Sequence, residues 1–146
     1  MEGFSKTVYY NRGMPYKVLE KDGLRILIIA DSLPELFVDA VNGVEGVLGP
    51  RATKERKTIT RTIILHARNV EFLLIECLNK VLASSEIYKE IYTKVELKNL
   101  THTFLEAELF GEHVAGFKKD VKAVTYRETG IEEKDGKWRA RLFFDV

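Results

Sequence analysis

The sequence predicts an α+β domain in which two helices cover one face of a largely antiparallel sheet. Three observations carry that expectation. Patterned segments run strands, helix, strand, helix and then a series of strands; 146 residues suffice for one core rather than two; and helix and strand do not alternate regularly, which argues against a doubly wound nucleotide fold. Residues 1–15 read as an N-terminal extension and 16–146 as the single domain.

Within the extension, Thr7–Tyr10 is a short β-prone piece among glycine, asparagine and proline, and reads as one edge strand. Tyr16–Leu19 should pair with Leu24–Ala30 across Asp22-Gly23, a dipeptide that tolerates the positive φ of a tight hairpin. Leu24–Ala30 is so aliphatic that burial on both faces is expected. Ser32-Leu33-Pro34-Glu35 is a capping box with proline in the first turn. The apolar residues after it, from Leu36 and Phe37 to Val47 and Leu48, form one helical stripe that Gly49-Pro50 ends. Thr58–Leu65 is rich in β-branched residues and reads as a strand. Asn69 suits the N-cap of a second helix with stripe Val70, Leu73, Leu74, Cys77, Leu78, Val81 and Leu82, ending near Ser84 and Ser85. Alternation then predicts strands around Ile91–Leu97 and Leu105–Leu109, then Val121–Tyr126 and Gly130–Lys134. Asp135-Gly136 is a hairpin signal, and the last strand sets Trp138, Ala140, Leu142 and Phe144 on one face and Arg139, Arg141 and Asp145 on the other.

Composition excludes several functions. No apolar run is long enough for a membrane helix and no signal segment opens the chain, so a cytoplasmic location is expected. Cys77 is the only cysteine and lies on a helical stripe, which reads as core rather than nucleophile and leaves no disulfide or zinc finger to build. The absence of glutamine and a charged fraction of 31% fit a heat-adapted source. His66, His102 and His113 match no zinc-ligand spacing, and neither a phosphate loop nor a Gly-x-Ser-x-Gly elbow is present. The chain is not expected to turn over a substrate alone.

Two places stand above that background. Asp145 beside the α-carboxylate of Val146 puts two carboxylates within one residue, which suits a hard cation such as Ca²⁺ or Mg²⁺ if other oxygens converge; the plainer reading is a solvated terminus. Lys122, on a strand of small and β-branched residues, is either an edge charge or a cation aimed at phosphate or carboxylate. Arg51, Lys54, Arg56, Lys57, Arg61 and Arg68 against Glu55 make residues 51–68 basic. A solvated face explains them, and a net charge of +1 leaves no strong electrostatic footprint, so direct nucleic-acid binding is not expected.

Lys122-Ala123-Val124-Thr125-Tyr126, then Gly130–Lys134, Asp135-Gly136, Lys137-Trp138 and the ending Leu142-Phe143-Phe144-Asp145-Val146, resemble the C-terminal half of archease. Upstream, Ser32-Leu33-Pro34-Glu35-Leu36-Phe37 resembles the start of its first helix and Asn69–Leu82 its second, and Phe110-Gly111-Glu112 resembles the Gly-Glu that follows a strand there. The resemblance implies an accessory protein, not an enzyme. Its partner would be the GTP-dependent, metal-dependent RNA ligase of tRNA splicing and repair, whose guanylylation and multiple turnover it promotes. A chaperone-like effect on a tRNA methyltransferase is also implied. For Lys122 the resemblance implies the ligase-activating role, and for Asp145, Val146 and Asp22 a site for a divalent cation. The family's His-Thr-Ala-Asp stands here as Glu20-Lys21-Asp22-Gly23, so Gly23 occupies the aspartate position and Asp22 comes one residue early. In a strand that slip turns the side chain to the opposite face. Arg127 stands where the family has histidine after Thr-Tyr, and the loop from His113 to Lys119 is shorter. The alternative is a chaperone-like or protein-binding module that keeps the fold without activating a ligase. A third reading is RNA contact through Arg51–Arg68.

Overall fold

The structure, a computed structural model, describes residues 7–10 (as backbone), 16–20 and 23–146. Among the described residues the elements run β1 (Thr7–Tyr10), β2 (Tyr16–Leu19), β3 (Leu24–Ala30), α1 (Leu33–Leu48), β4 (Pro50–Arg51), β5 (Thr58–His66) and α2 (Val70–Tyr88). The strands β6 (Glu90–Leu100), β7 (Phe104–His113), β8 (Gly116–Phe117), β9 (Ala123–Val124), β10 (Gly130–Lys134) and β11 (Lys137–Asp145) follow. Every pairing is antiparallel. The expected α+β architecture is therefore present, with its strands divided between sheets: β1-β6-β7-β5, then β10-β11-β3-β2 with β9 beside the end of β11, and the small pair β4-β8.

Local chemistry explains the element ends. Ser32 Oγ accepts the Glu35 N–H at 3.3 Å and Asn69 Oδ1 accepts that of Phe72 at 2.9 Å, so both helices start at a capped N-terminus. Gly49 closes α1 in the left-handed region at φ 64°. Asp135 and Gly136, at φ 55° and 75°, supply the two positive-φ residues that a two-residue hairpin needs between β10 and β11.

Both helices touch both sheets: α1 packs on β2, β3 and β11 and on β6, and α2 on β5, β6 and β7 and on β9 and β10. This placement corrects the single stripe expected for α1, because an unbroken run from Leu36 to Glu45 is buried. It also corrects the two-faced burial expected for Leu24–Ala30. Leu24, Ile26, Ile28 and Ala30 are buried under α1, while Ile29 on the opposite face is 57% exposed because no layer covers it. The second helix runs past Ser85 to Tyr88, since Ser85 is itself buried and finds a partner on α1. The strand expected over Val121–Tyr126 shrinks to Ala123–Val124. Val121 and Val124 are both buried three residues apart, a spacing that an extended strand cannot deliver to one face.

Burying α1 on two sides brings polar groups inside, and they form one joint. Glu45 of α1, 3% exposed, accepts the Tyr92 N–H of β6 at 2.8 Å, and the Ser85 hydroxyl of α2 lies 3.1 Å from both its oxygens. Burial pushes the Glu45 carboxyl up to about 8, with the Tyr92 and Ser85 hydrogen bonds pulling the other way. The Tyr92 hydroxyl donates to Glu90 at 3.0 Å, and Arg61 closes a bidentate pair on Glu90 with two contacts of 2.8 Å. Burial alone would raise the Glu90 carboxyl, but the Arg61 and Tyr92 hydrogen bonds, with the charges of Arg61 and His113, hold it below the ordinary range. Sequence reading missed Glu45, although Val41, Glu45 and Leu48 share the four-then-three spacing of a buried face.

Gly111 shows why β6 and β7 can cross an irregular register between Tyr92 and Lys94. A Cβ there would lie 1.8 Å from the Ile91 carbonyl oxygen. Gly111→Ala should therefore cost about 2–3 kcal/mol through forced backbone displacement, read as a lower urea midpoint at unchanged slope.

Candidate functional site

The expected site residues lie at one end of the five-stranded sheet, where β11 finishes between β9 and β3. Phe144 is paired with Val124 on one side and with Leu24 on the other. The Lys122 N–H donates to the Asp145 carbonyl at 2.9 Å, and the Thr125 N–H to that of Phe143 at 2.8 Å. The short strand β9 is pinned by α2: Asn79 Oδ1 accepts the Val124 N–H at 2.7 Å and its Nδ2 donates to the Val124 carbonyl at 3.2 Å. Val121 and Val124 anchor the segment in the core, while Lys122, Asp145 and Val146 are exposed. Lys122 and Asp145 are thus brought together on adjacent chain segments 23 residues apart in sequence.

Asp22 lies outside the described residues. The residue after it, Gly23, is exposed at φ 106° and precedes Leu24, so the β3–β11 register runs out toward Asp145 at that glycine. The same hairpin is tied to the loop before Lys122 by an ion pair between Glu20 and Lys119. Beyond Lys119, a cleft of about 400 Å³ is lined by Arg51, Lys89 and Lys118 together with Glu86 and Asp120. The α1 C-terminus faces it, its Leu48 and Gly49 carbonyls accepting the backbone N–H groups of Lys118 and Lys119. Cations beside helix C-termini are favourable on that ground alone.

Other candidates resolve into structure. Cys77 is 4% exposed and burial pushes its thiol up to about 12, as a core cysteine requires. His66 packs on Phe104 and His102 meets Trp138 edge-on. Within the basic stretch, Arg51 Nε donates to the Phe117 carbonyl at 3.4 Å, Arg61 is engaged by Glu90 and Arg68 stacks 4.1 Å over Phe72, so three of its cations are already in use.

The chain is similar to known proteins along most of its length. The model of the Archease protein family (MTH1598/TM1083) matches residues 16–146. A protein archease from Thermoplasma volcanium is 26% identical over 138 residues, covering 91% of this chain and all of that protein. One from Methanosarcina mazei is 21% identical over 145 residues, covering 93% of this chain and 99% of its own. The crystal structure of an archease and possible chaperone from Thermotoga maritima superposes with a TM-score of 0.62 at 17% identity, over 84% of this chain and 89% of that one. The solution structure of Methanobacterium thermoautotrophicum protein 1598 gives 0.64 at 19% identity, over 92% of this chain and all of that one.

Proposed function

Because the chain belongs to the archease family, we propose that it is a non-catalytic accessory protein that activates a GTP-dependent RNA ligase by direct contact. The observation that carries this reading is the placement of Lys122. Its backbone is fixed by the Asp145 carbonyl, Val121 and Val124 while the residue itself stays exposed at the end of a rigid sheet. During guanylylation, negative charge develops on the transferring phosphoryl group and its leaving group. A cation held in advance at that position stabilises the developing charge without reorganisation. Lys122 supplies that cation from outside the ligase, and Asp145 beside it orients the contact. Added to a purified GTP-dependent RNA ligase, the chain should raise the number of joined RNA ends per ligase well above one. Turnover that stays at one with the chain in excess rules the reading out.

A chaperone-like reading draws on a different observation. Ile29, Ile64 and Ile87 are 57%, 58% and 71% exposed on three separate elements, β3, β5 and α2, and each offers an apolar contact point to a partner such as a tRNA methyltransferase. Suppressed aggregation of that partner without any change in ligase turnover would favour it.

No three His, Cys, Asp or Glu side chains among the described residues lie close enough to share an ion, and Gly23 contributes no ligating side chain. Asp145, the carboxylate of a chain ending at Val146 and Asp22 would at most hold Ca²⁺ weakly, since this ion takes six to eight oxygens. Millimolar Ca²⁺ should then raise the melting temperature where micromolar Ca²⁺ does not, and Asp145→Asn should remove the rise.

A further inference from the structure

The net charge of +1 hides a segregation that the fold creates. The uncovered face of the five-stranded sheet carries Lys17, Arg25, Lys134, Lys137, Arg139 and Arg141, with the carboxylate of Glu132 among them, and the register places Arg139 between Ile29 and Glu132 and Arg141 beside Leu27. On the four-stranded sheet the outward positions of β7 are instead Glu106, Glu108 and Glu112. Arg139 and Arg141 are exposed, and neither side chain makes an ion pair or hydrogen bond among the described residues. They border a concavity of about 500 Å³ lined by Leu27 and Ile29 and by two carboxylates, Glu71 from the first turn of α2, which accepts the Ile131 N–H, and Glu132. Next to Glu71, Phe72 meets the ring of Tyr126 edge-on at 5.0 Å and carries the Arg68 guanidinium 4.1 Å from its own ring centre, and Tyr126 is 52% exposed.

We propose that this concavity and the Tyr126 ring beside it bind single-stranded RNA. Alternate residues on a strand are roughly 6.7 Å apart, about twice the 3.4 Å rise per phosphate of a stacked strand, so the two arginines can hold neighbouring phosphates of a stretched one. Guanidinium groups suit phosphate oxygens, and an exposed aromatic ring offers a stacking surface to any base. The apolar lining gives a second base somewhere to leave water. The regular spacing of the two arginines favours consecutive phosphates over the carboxylates of an acidic protein surface, which carry no such repeat. The proposal does not rest on ligase activation, because the protein alone is the binder.

The test is fluorescence anisotropy of a labelled single-stranded RNA titrated with the protein alone at 50 and 200 mM salt. Two phosphate contacts predict about a 7-fold weakening between those conditions. The double variant Arg139→Ala/Arg141→Ala should bind at least 10-fold more weakly and lose most of the salt dependence. Tyr126→Ala should weaken binding about 5-fold or more with the salt dependence intact. The control Arg56→Ala/Lys57→Ala, which removes exposed cations outside this face, should change nothing. Absent binding at 50 mM salt overturns the proposal, as does an equal loss in the control. So does a double variant that releases a protein partner while RNA affinity stays unchanged.

Discussion

Lys122→Ala is expected to abolish stimulation of ligase guanylylation, a loss of about 100-fold if the amine acts on developing phosphoryl charge, while the melting temperature stays within a degree or so of the parent. The separation follows from the geometry. What fixes this residue in the fold is its backbone N–H on the Asp145 carbonyl, which alanine keeps, together with Val121 and Val124, which the change does not touch. An exposed lysine contributes little to stability. Lys122→Arg should restore part of the effect, because it returns the charge with a different donor geometry. A loss of activation accompanied by an equal loss of stability would instead mean that the segment had come away from β11.

The second large effect is on stability and depends on pH. Glu45 has an ordinary carboxyl pKa of 4.5 when unfolded and one pushed up to about 8 by burial when folded. The folded state therefore holds the proton more tightly than the unfolded chain. The stabilisation is fully present below pH 4.5 and is lost as pH rises through 8, and its size is of order 5 kcal/mol. Glu90 works in the opposite sense: its folded carboxyl is held low by Arg61 and Tyr92, so its contribution is present above the unfolded value and fades in acid. Denaturation midpoints should accordingly peak in mildly acidic solution. Glu45→Gln should leave the midpoint near the parental one at pH 5 and raise it clearly at pH 9, since the amide still accepts the Tyr92 N–H and never ionises. A parental curve that is flat from pH 5 to pH 9 would contradict the buried joint.

What the sequence disclosed follows the range of the interactions involved. Both helix starts were legible because Ser32 and Asn69 act on amides three residues away, and the β10–β11 hairpin because Asp135 and Gly136 satisfy a local demand for positive φ. The division of the strands into two sheets was not legible, since it turns on α1 and α2 each serving both, a decision made between elements far apart in the chain. Glu45 was missed for that reason: its partners are 40 and 47 residues away. The aliphatic run of Leu24–Ala30 suggested cover on both faces, yet composition cannot report that nothing packs over Ile29. Lys122 and Asp145 stood out in the sequence by strand pattern and by paired carboxylates, and resemblance to a family added their roles, but their adjacency is a matter of register that their spacing does not encode. The charge segregation between the two sheets was invisible for a related reason, since a net charge sums over faces that only the fold creates.

The measurement that bears most directly on the proposed role is the rate at which a GTP-dependent RNA ligase becomes guanylylated in the presence and absence of this chain. The account predicts a marked acceleration by the parent protein and none by Lys122→Ala, at equal protein concentration and with both proteins folded. A guanylylation rate that the parent protein leaves unchanged, or that Lys122→Ala accelerates as well as the parent does, contradicts it.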